Sequence, residues 1–238
     1  MSDNARRADV LSVPGRSRRA GLVPRSRRTR EGIERTPGPV TTSGDLMRLF
    51  VAIAPPAAVL DDLDVLAAPL RTGRRDLRWT SREAWHVTLA FLGQVDEAAA
   101  ARLLPRLERA AHRHNAFRLA FSGAGAFPAA SRANVLWGGL SGDRGALANL
   151  AESVAAGASR AGASPPDKGR RFRPHLTLAR CRMPADVTEL VAALAGYQGP
   201  AWTADRIHLV RSRLGATEHP RYATLGSWPL RPPEPQDP

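Results

Sequence analysis

One cysteine, Cys181, and one lysine, Lys168, occur in 238 residues, and aromatic side chains make up only 5%. A single thiol cannot build an intrachain disulfide, so a reducing, cytoplasmic setting is expected. No run of about 18 apolar residues is present, which leaves no segment expected to span a membrane. The arginine-bearing start also lacks the apolar stretch of roughly 7–15 residues that a secretory signal needs. With few aromatics, the core falls to Ala, Leu and Val, and 43% hydrophobic residues suffice for one large domain or two small lobes. Acidic residues are scarce too: 22 Asp and Glu stand against 35 basic residues, a net charge of +13. Because nearly all of that charge is guanidinium, which pairs with phosphate in bidentate fashion, anionic partners are favoured.

The excess is unevenly spread. Residues 1–45 hold ten arginines and five acids, with no hydrophobic periodicity and much Ser, Pro, Gly and Thr. They read as a disordered basic arm or as an extension outside the domain proper. "MRLFVAI" from Met47 reads as a buried first strand, so the domain is expected over 46–230. The proline-rich residues 231–238 read as a disordered tail.

Within the domain, strand and helix patterns alternate. An apolar helical period covers 56–70, and "LRWTS" leads into a strand ending at Gly93. Asp96 is placed to cap a helix over 97–113 and Asp143 a helix ending near 160. Strands are expected at 117–123, 133–140, 203–211 and 221–227, a short helix at 186–195, and loops at "GAGAFPAAS" and "ASPPDKGRR". These elements predict an α+β fold of two pseudo-symmetric lobes. Each lobe is an antiparallel sheet with outer helices, and the two flank a central cleft.

One stretch occurs twice. "HVTLAFLG" at 86–93 returns as "HLTLAR" at 175–180. On a strand, His86, Thr88 and Ala90 face one way and Val87, Leu89 and Phe91 the other. The second copy divides His175, Thr177 and Ala179 from Leu176 and Leu178. Each copy thus offers an imidazole and a hydroxyl about 7 Å apart along one face, above a small alanine. Symmetric packing of the lobes would set two such pairs around one site. That arrangement suits phosphodiester cleavage: a neutral imidazole removes a proton, a protonated one supplies a proton to the leaving oxygen, and hydroxyls meet the charged phosphate oxygens. Such a division of labour calls for no metal and no cofactor. The residues alone do not say which histidine is acid and which is base.

"MRLFVAI", "LRW", "WHVTLAFLG", "GAFP", "VLWGGL" and "FRPHLTLAR", taken in order, resemble the RNA 2′,3′-cyclic phosphodiesterases, historically 2′-5′ RNA ligases, of the two-histidine phosphoesterase superfamily. The resemblance runs from Met47 to the last strand. It implies hydrolysis of RNA 2′,3′-cyclic phosphate ends to 2′-phosphates; small cyclic-phosphate nucleotides are an alternative substrate, and the internal pseudo-two-fold makes a monomer sufficient. It also implies that His86 is the proton donor, that His175 is the proton acceptor, and that Thr88 and Thr177 hold the phosphate. It further places an arginine, Arg180, near the phosphate. Strict alternation puts Arg180 on the face opposite His175, so that role requires a bulge or strong twist. Arg173 shares the face of His175 but precedes Pro174. Two other readings remain: action on, or formation of, 2′-5′ linked oligonucleotides, and a non-catalytic RNA-binding module.

The remaining candidates carry less. His112 and His114 diverge around a helix end and suit a solvated terminus better than a metal site. His208, His219 and Cys181 read as structural. Trp79, Trp85 and Trp137 lie on or beside the cleft strands, where packing is the simpler role and base stacking the functional one.

Overall fold

A computed structural model describes residues 46–163, 172–213 and 221–232. In chain order these form β1 (Met47–Ile53), α1 (Ala57–Ala67), β2 (Leu77–Trp79), β3 (Val87–Val95), α2 (Glu97–Ala111), β4 (Phe117–Phe127), β5 (Ala133–Gly142), α3 (Arg144–Ala161), β6 (Leu176–Ala185), α4 (Thr188–Leu194), β7 (Trp202–Ala204), β8 (Arg206–Arg213) and β9 (Arg221–Pro229). The expected α+β architecture is present. All strand pairs between these elements are antiparallel, in the order β7-β4-β5-β6-β3-β1-β8-β9, with β2 on β6. The halves β3-β1-β8-β9 and β7-β4-β5-β6 meet through a single residue pair, Val87 with Leu176. The two lobes of the sequence reading are therefore halves of one sheet, hinged where the repeated stretches begin.

Helix packing decides the two faces. The large core unites Leu103, Leu107, Leu147, Leu150 and Val154 of α2 and α3 with Leu49, Val51, Val87, Leu89, Leu176 and Leu178 of the strands. A second, small cluster of Phe50, Ala52 and Val210 contains strand residues alone and marks the other face. The histidines of the repeat lie on that face.

Local chemistry explains most boundaries. Asp96 caps α2, its carboxylate accepting from the Ala99 N–H at 2.7 Å. Asp143 stands at the N-cap of α3 but does not cap it with its side chain. Its carboxylate accepts instead from the Arg118 N–H at 2.9 Å, tying the end of β5 to β4. Three expectations are corrected. Residues 124–127 of the supposed "GAGAFPAAS" loop continue β4, because they pair with β5 as far as Phe127–Val135. "LRW" is a separate strand, β2, paired to β6 rather than continuous with β3. The strand expected over 203–211 divides into β7 and β8, which join opposite ends of the sheet. At the C-terminal side, Arg231, assigned by sequence to the tail, exchanges backbone hydrogen bonds with His114 and Ala116. The basic arm, the "SPPDKGRR" segment and His219 lie outside the described residues, and no described helix is long and apolar enough to cross a membrane.

Candidate active site

Pairing of Val87 with Leu176 dictates the site. In an antiparallel pair, residues flanking the matched positions are also opposed, so His86 faces Thr177 and Thr88 faces His175. All four point away from the helical core that holds Val87 and Leu176. Cross-strand neighbours lie about 5 Å apart and diagonal ones about 7–8 Å, so the imidazoles occupy opposite corners of a small quadrilateral with hydroxyls at the other two. The rings sense each other: a charge on His175 disfavours a charge on His86.

Both imidazoles are held in the same way. Nδ1 of His86 lies 2.7 Å from the Ala84 carbonyl oxygen, and Nδ1 of His175 lies 2.7 Å from that of Arg173. A carbonyl oxygen only accepts, so each Nδ1 carries the proton and Nε2 is left for chemistry. Aromatic rings fix the planes. Phe50 of β1 stacks on His86 at 4.6 Å, and Tyr222 of β9 meets it edge-on at 5.4 Å. Around His175, Phe127 of β4 sits edge-on at 5.0 Å and Trp137 of β5 tilts at 6.3 Å. The sequence reading missed Phe50, Phe127 and Tyr222. Their parity on β1 and β4 was available, but the pairing of β9 with β8 that brings in Tyr222 was not.

The bulge that Arg180 required is present. Leu136 pairs with Ala179 and Trp137 with Thr177, leaving Leu178 as an extra residue in β6. Leu178 and Ala179 are both buried in the helical core, so Arg180 returns to the histidine side. The first copy repeats the device: Val51 pairs with Ala90 and Ala52 with Thr88, leaving Leu89 extra. Ala90 and Ala179 therefore turn into the core instead of flooring the cleft, and Phe91, five residues after His86, comes out beside Phe50. Arg48 lies over its ring at 4.9 Å. Arg180 and Phe91 thus occupy equivalent places in the two copies. The positive charge of Arg180 reaches both histidines. Arg173 contributes chiefly through its carbonyl, while its guanidinium lies 6.0 Å from the Phe127 centroid.

Electrostatics lower both imidazoles. Burial pushes His86 down to about 4, with further lowering by His175 and Arg180, against the opposing hydrogen bond to Ala84. Burial also lowers His175, against the opposing hydrogen bond to the Arg173 carbonyl, and Arg180 adds to the lowering. Burial raises the Tyr222 hydroxyl, partly offset by Arg180, Arg48 and Arg78. Below its ordinary value near 6.5, His86 is protonated in the unfolded chain but not in the folded one. The stability present at neutral pH is therefore expected to be lost as pH drops from 6.5 towards 4, on the order of 3 kcal/mol. Urea midpoints at pH 7 and pH 4.5 check this. His86→Gln should lose most of the difference, and an equal loss in both proteins would refute it.

Glycine at 125 is part of the same construction. Gly125 pairs with Trp137, and a Cβ there would overlap the indole ring. Gly125→Ala is expected to cost about 1–3 kcal/mol by overpacking and to lower turnover by displacing Trp137 beside His175. Unchanged denaturant midpoint and rate would show that the indole turns aside freely.

Of the remaining candidates, Trp85 is buried in the core and Trp79 packs against it, leaving Trp137 as the tryptophan at the histidines. His208 lies on β8 with Nδ1 2.7 Å from Ser227 Oγ. Cys181 is a half-buried thiol whose pKa burial raises. Among the described residues no group of three or more His, Cys, Asp and Glu is gathered as metal ligands.

The family model described as the 2′-5′ RNA ligase superfamily matches residues 56–216. A protein of Aeropyrum pernix named RNA 2′,3′-cyclic phosphodiesterase is 38% identical over 112 residues, 47% of this chain and 61% of that one. Its namesake from Aquifex aeolicus is 34% identical over 105 residues, 44% of this chain and 55% of that one. The matched stretch therefore spans little more than half the length of these relatives. The crystal structure of E. coli LigT complexed with 3′-AMP has a TM-score of 0.64 at 26% identity, over 78% of this chain and 99% of that chain. With the family match enclosing both histidine strands, this chain belongs to the 2′-5′ RNA ligase superfamily.

Proposed function

We propose that this protein is a cytoplasmic, monomeric RNA 2′,3′-cyclic phosphodiesterase that opens the cyclic phosphate to a 2′-phosphate by acid–base catalysis between His86 and His175. The observation that carries the proposal is the Val87–Leu176 pair, which sets two tautomer-fixed imidazoles diagonally across one face. The names of the similar proteins support the substrate class.

In the reaction, Nε2 of His175 takes a proton from water as its oxygen bonds to phosphorus. The phosphorus–O3′ bond breaks, and Nε2–H of His86 gives its proton to O3′. One water is consumed and the protein ends with its proton moved from one imidazole to the other, to be restored through solvent. The assignment of donor and acceptor follows the resemblance to the two-histidine phosphoesterases; burial and Arg180 lower both imidazoles. Anionic substrate raises both values, which gives His86 its proton in the complex. Thr88 and Thr177 donate to the non-bridging oxygens, and Arg180 offsets the charge that grows on them.

The direct test is incubation with an oligonucleotide bearing a 2′,3′-cyclic phosphate in the presence of chelator, followed by identification of the product. A 2′-phosphate is expected. A 3′-phosphate would reverse the leaving group, and loss of all activity on chelation would remove the two-imidazole scheme. A 2′-5′ linked oligonucleotide in the same panel separates cleavage of that linkage from ring opening.

A further inference from the structure

On the face of the sheet away from the histidines, α2 and α3 run antiparallel. Arg102 Nε donates to the Ala161 carbonyl at 3.1 Å near one end, and His114 Nε2 lies 2.8 Å from Ser153 Oγ near the other. Between them Gly157 is buried against α2. A Cβ at 157 would lie 3.5 Å from Arg106 Cβ, so the helices approach closely here. Gly157 and Ala110 floor a trough of about 320 Å³ walled by Arg106, Arg109, Arg113 and Arg160.

Helical geometry separates these cations from the nearest acids. Positions 106, 109 and 113 share one stripe of α2, whereas Glu108 is rotated about 200° from Arg106; on α3, Glu152 is rotated about 100° from Ser153. Among the described residues, the ion pairs of Arg71, Arg74, Arg82 and Arg206 do not reach any of the four trough arginines. Four guanidiniums with no ion pair among the described residues, set around a narrow depression, form a site for a chain of negative charges. We propose that this trough binds the phosphodiester backbone of an RNA strand, independently of hydrolysis at the histidines. An RNA backbone fits better than an acidic protein, because the trough offers only Ala110 as an apolar side chain and no aromatic anchor of the kind that protein interfaces use. Guanidinium pairs with phosphate oxygens two at a time.

The experiment measures binding of a fluorescent RNA of about 20 nucleotides ending in a 3′-hydroxyl, across a range of salt, to the full chain. Exposed Arg109, Arg113 and Arg160 are replaced together by Gln, leaving Arg106 in its helix contact. A second protein carries Arg75→Gln, Arg118→Gln and Arg144→Gln, which remove equal charge elsewhere. The trough variant is expected to bind at least tenfold more weakly at 150 mM salt. Its slope of log affinity against log salt should fall by about 2, at roughly 0.7 per phosphate contact on a single strand. It should hydrolyse a cyclic mononucleotide within twofold of the parent, whereas the control variant should keep its affinity within threefold. Equal losses in the two variants, an unchanged slope, or no RNA binding by the parent would overturn the proposal. So would a polyglutamate chain that binds the parent more tightly than RNA of equal charge.

Discussion

His86→Ala and His175→Ala are each expected to lower turnover of a 2′,3′-cyclic phosphate by 10³- to 10⁴-fold, with little change in thermal midpoint. The size follows from what general acid or base catalysis contributes, at the upper end because each imidazole is fixed by a carbonyl and by aromatic rings. The double variant should be scarcely slower than either single one, since removing one partner of a proton relay disables the other. Folding should survive, because both histidines lie outside the large core that holds their neighbours Val87 and Leu176. Steady-state kinetics with thermal melts read both quantities. Either single variant within tenfold of the parent would refute the shared role.

Arg180→Met is expected to lower kcat/KM by about 10²-fold, the scale of one charged hydrogen bond to a developing phosphate charge. A second effect distinguishes it from simple loss of affinity. Arg180 lowers both histidines electrostatically, so its removal raises both. In the parent, kcat/KM should be highest on the acidic side of neutrality and fall as pH rises, because the donor loses its proton there. In the variant that falling limb should move to higher pH. A drop in kcat/KM with an unmoved limb would place Arg180 too far from the imidazoles to act as described. The apparent constants belong to the coupled pair, not to either ring alone.

Much of this site was legible in the residues because the information is local. Two copies of His-x-Thr with alternating apolar neighbours specify a strand, its buried face and its chemical face without reference to the rest of the chain. The helices were readable for the same reason, from Asp96 at a cap and leucines at helical spacing. What escaped was non-local. Strict alternation put Phe91 in the core and Ala90 in the cleft, and the extra residue at Leu89 reverses both. The matching bulge at Leu178 delivers Arg180, a role the sequence could attach only by resemblance. A bulge arises from register against a partner strand, here β1 or β5, so one strand read alone cannot show it. Tyr222 reaches His86 only because β9 pairs with β8, more than 130 residues along the chain. The separation of β7 from β8 has the same origin: a continuous apolar pattern does not reveal which sheet edge each piece joins.

The symmetry also clarifies why the copies differ. Phe91 and Arg180 occupy equivalent positions, yet only the second is charged. Under the proposed reaction, with an acid at one corner and a base at the other, a single such cation beside His175 meets the asymmetric demand. Arg48 of β1 lies over the Phe91 ring, and its charge reaches Tyr222.

The most direct measurement is a crystal structure with a non-hydrolysable nucleoside 2′,3′-cyclic phosphate analogue. The account predicts Nε2 of His86 and Nε2 of His175 each within about 3.2 Å of an oxygen on the same phosphorus, with His86 on the O3′ side. A phosphate bound by one imidazole alone, or seated away from both, would contradict it.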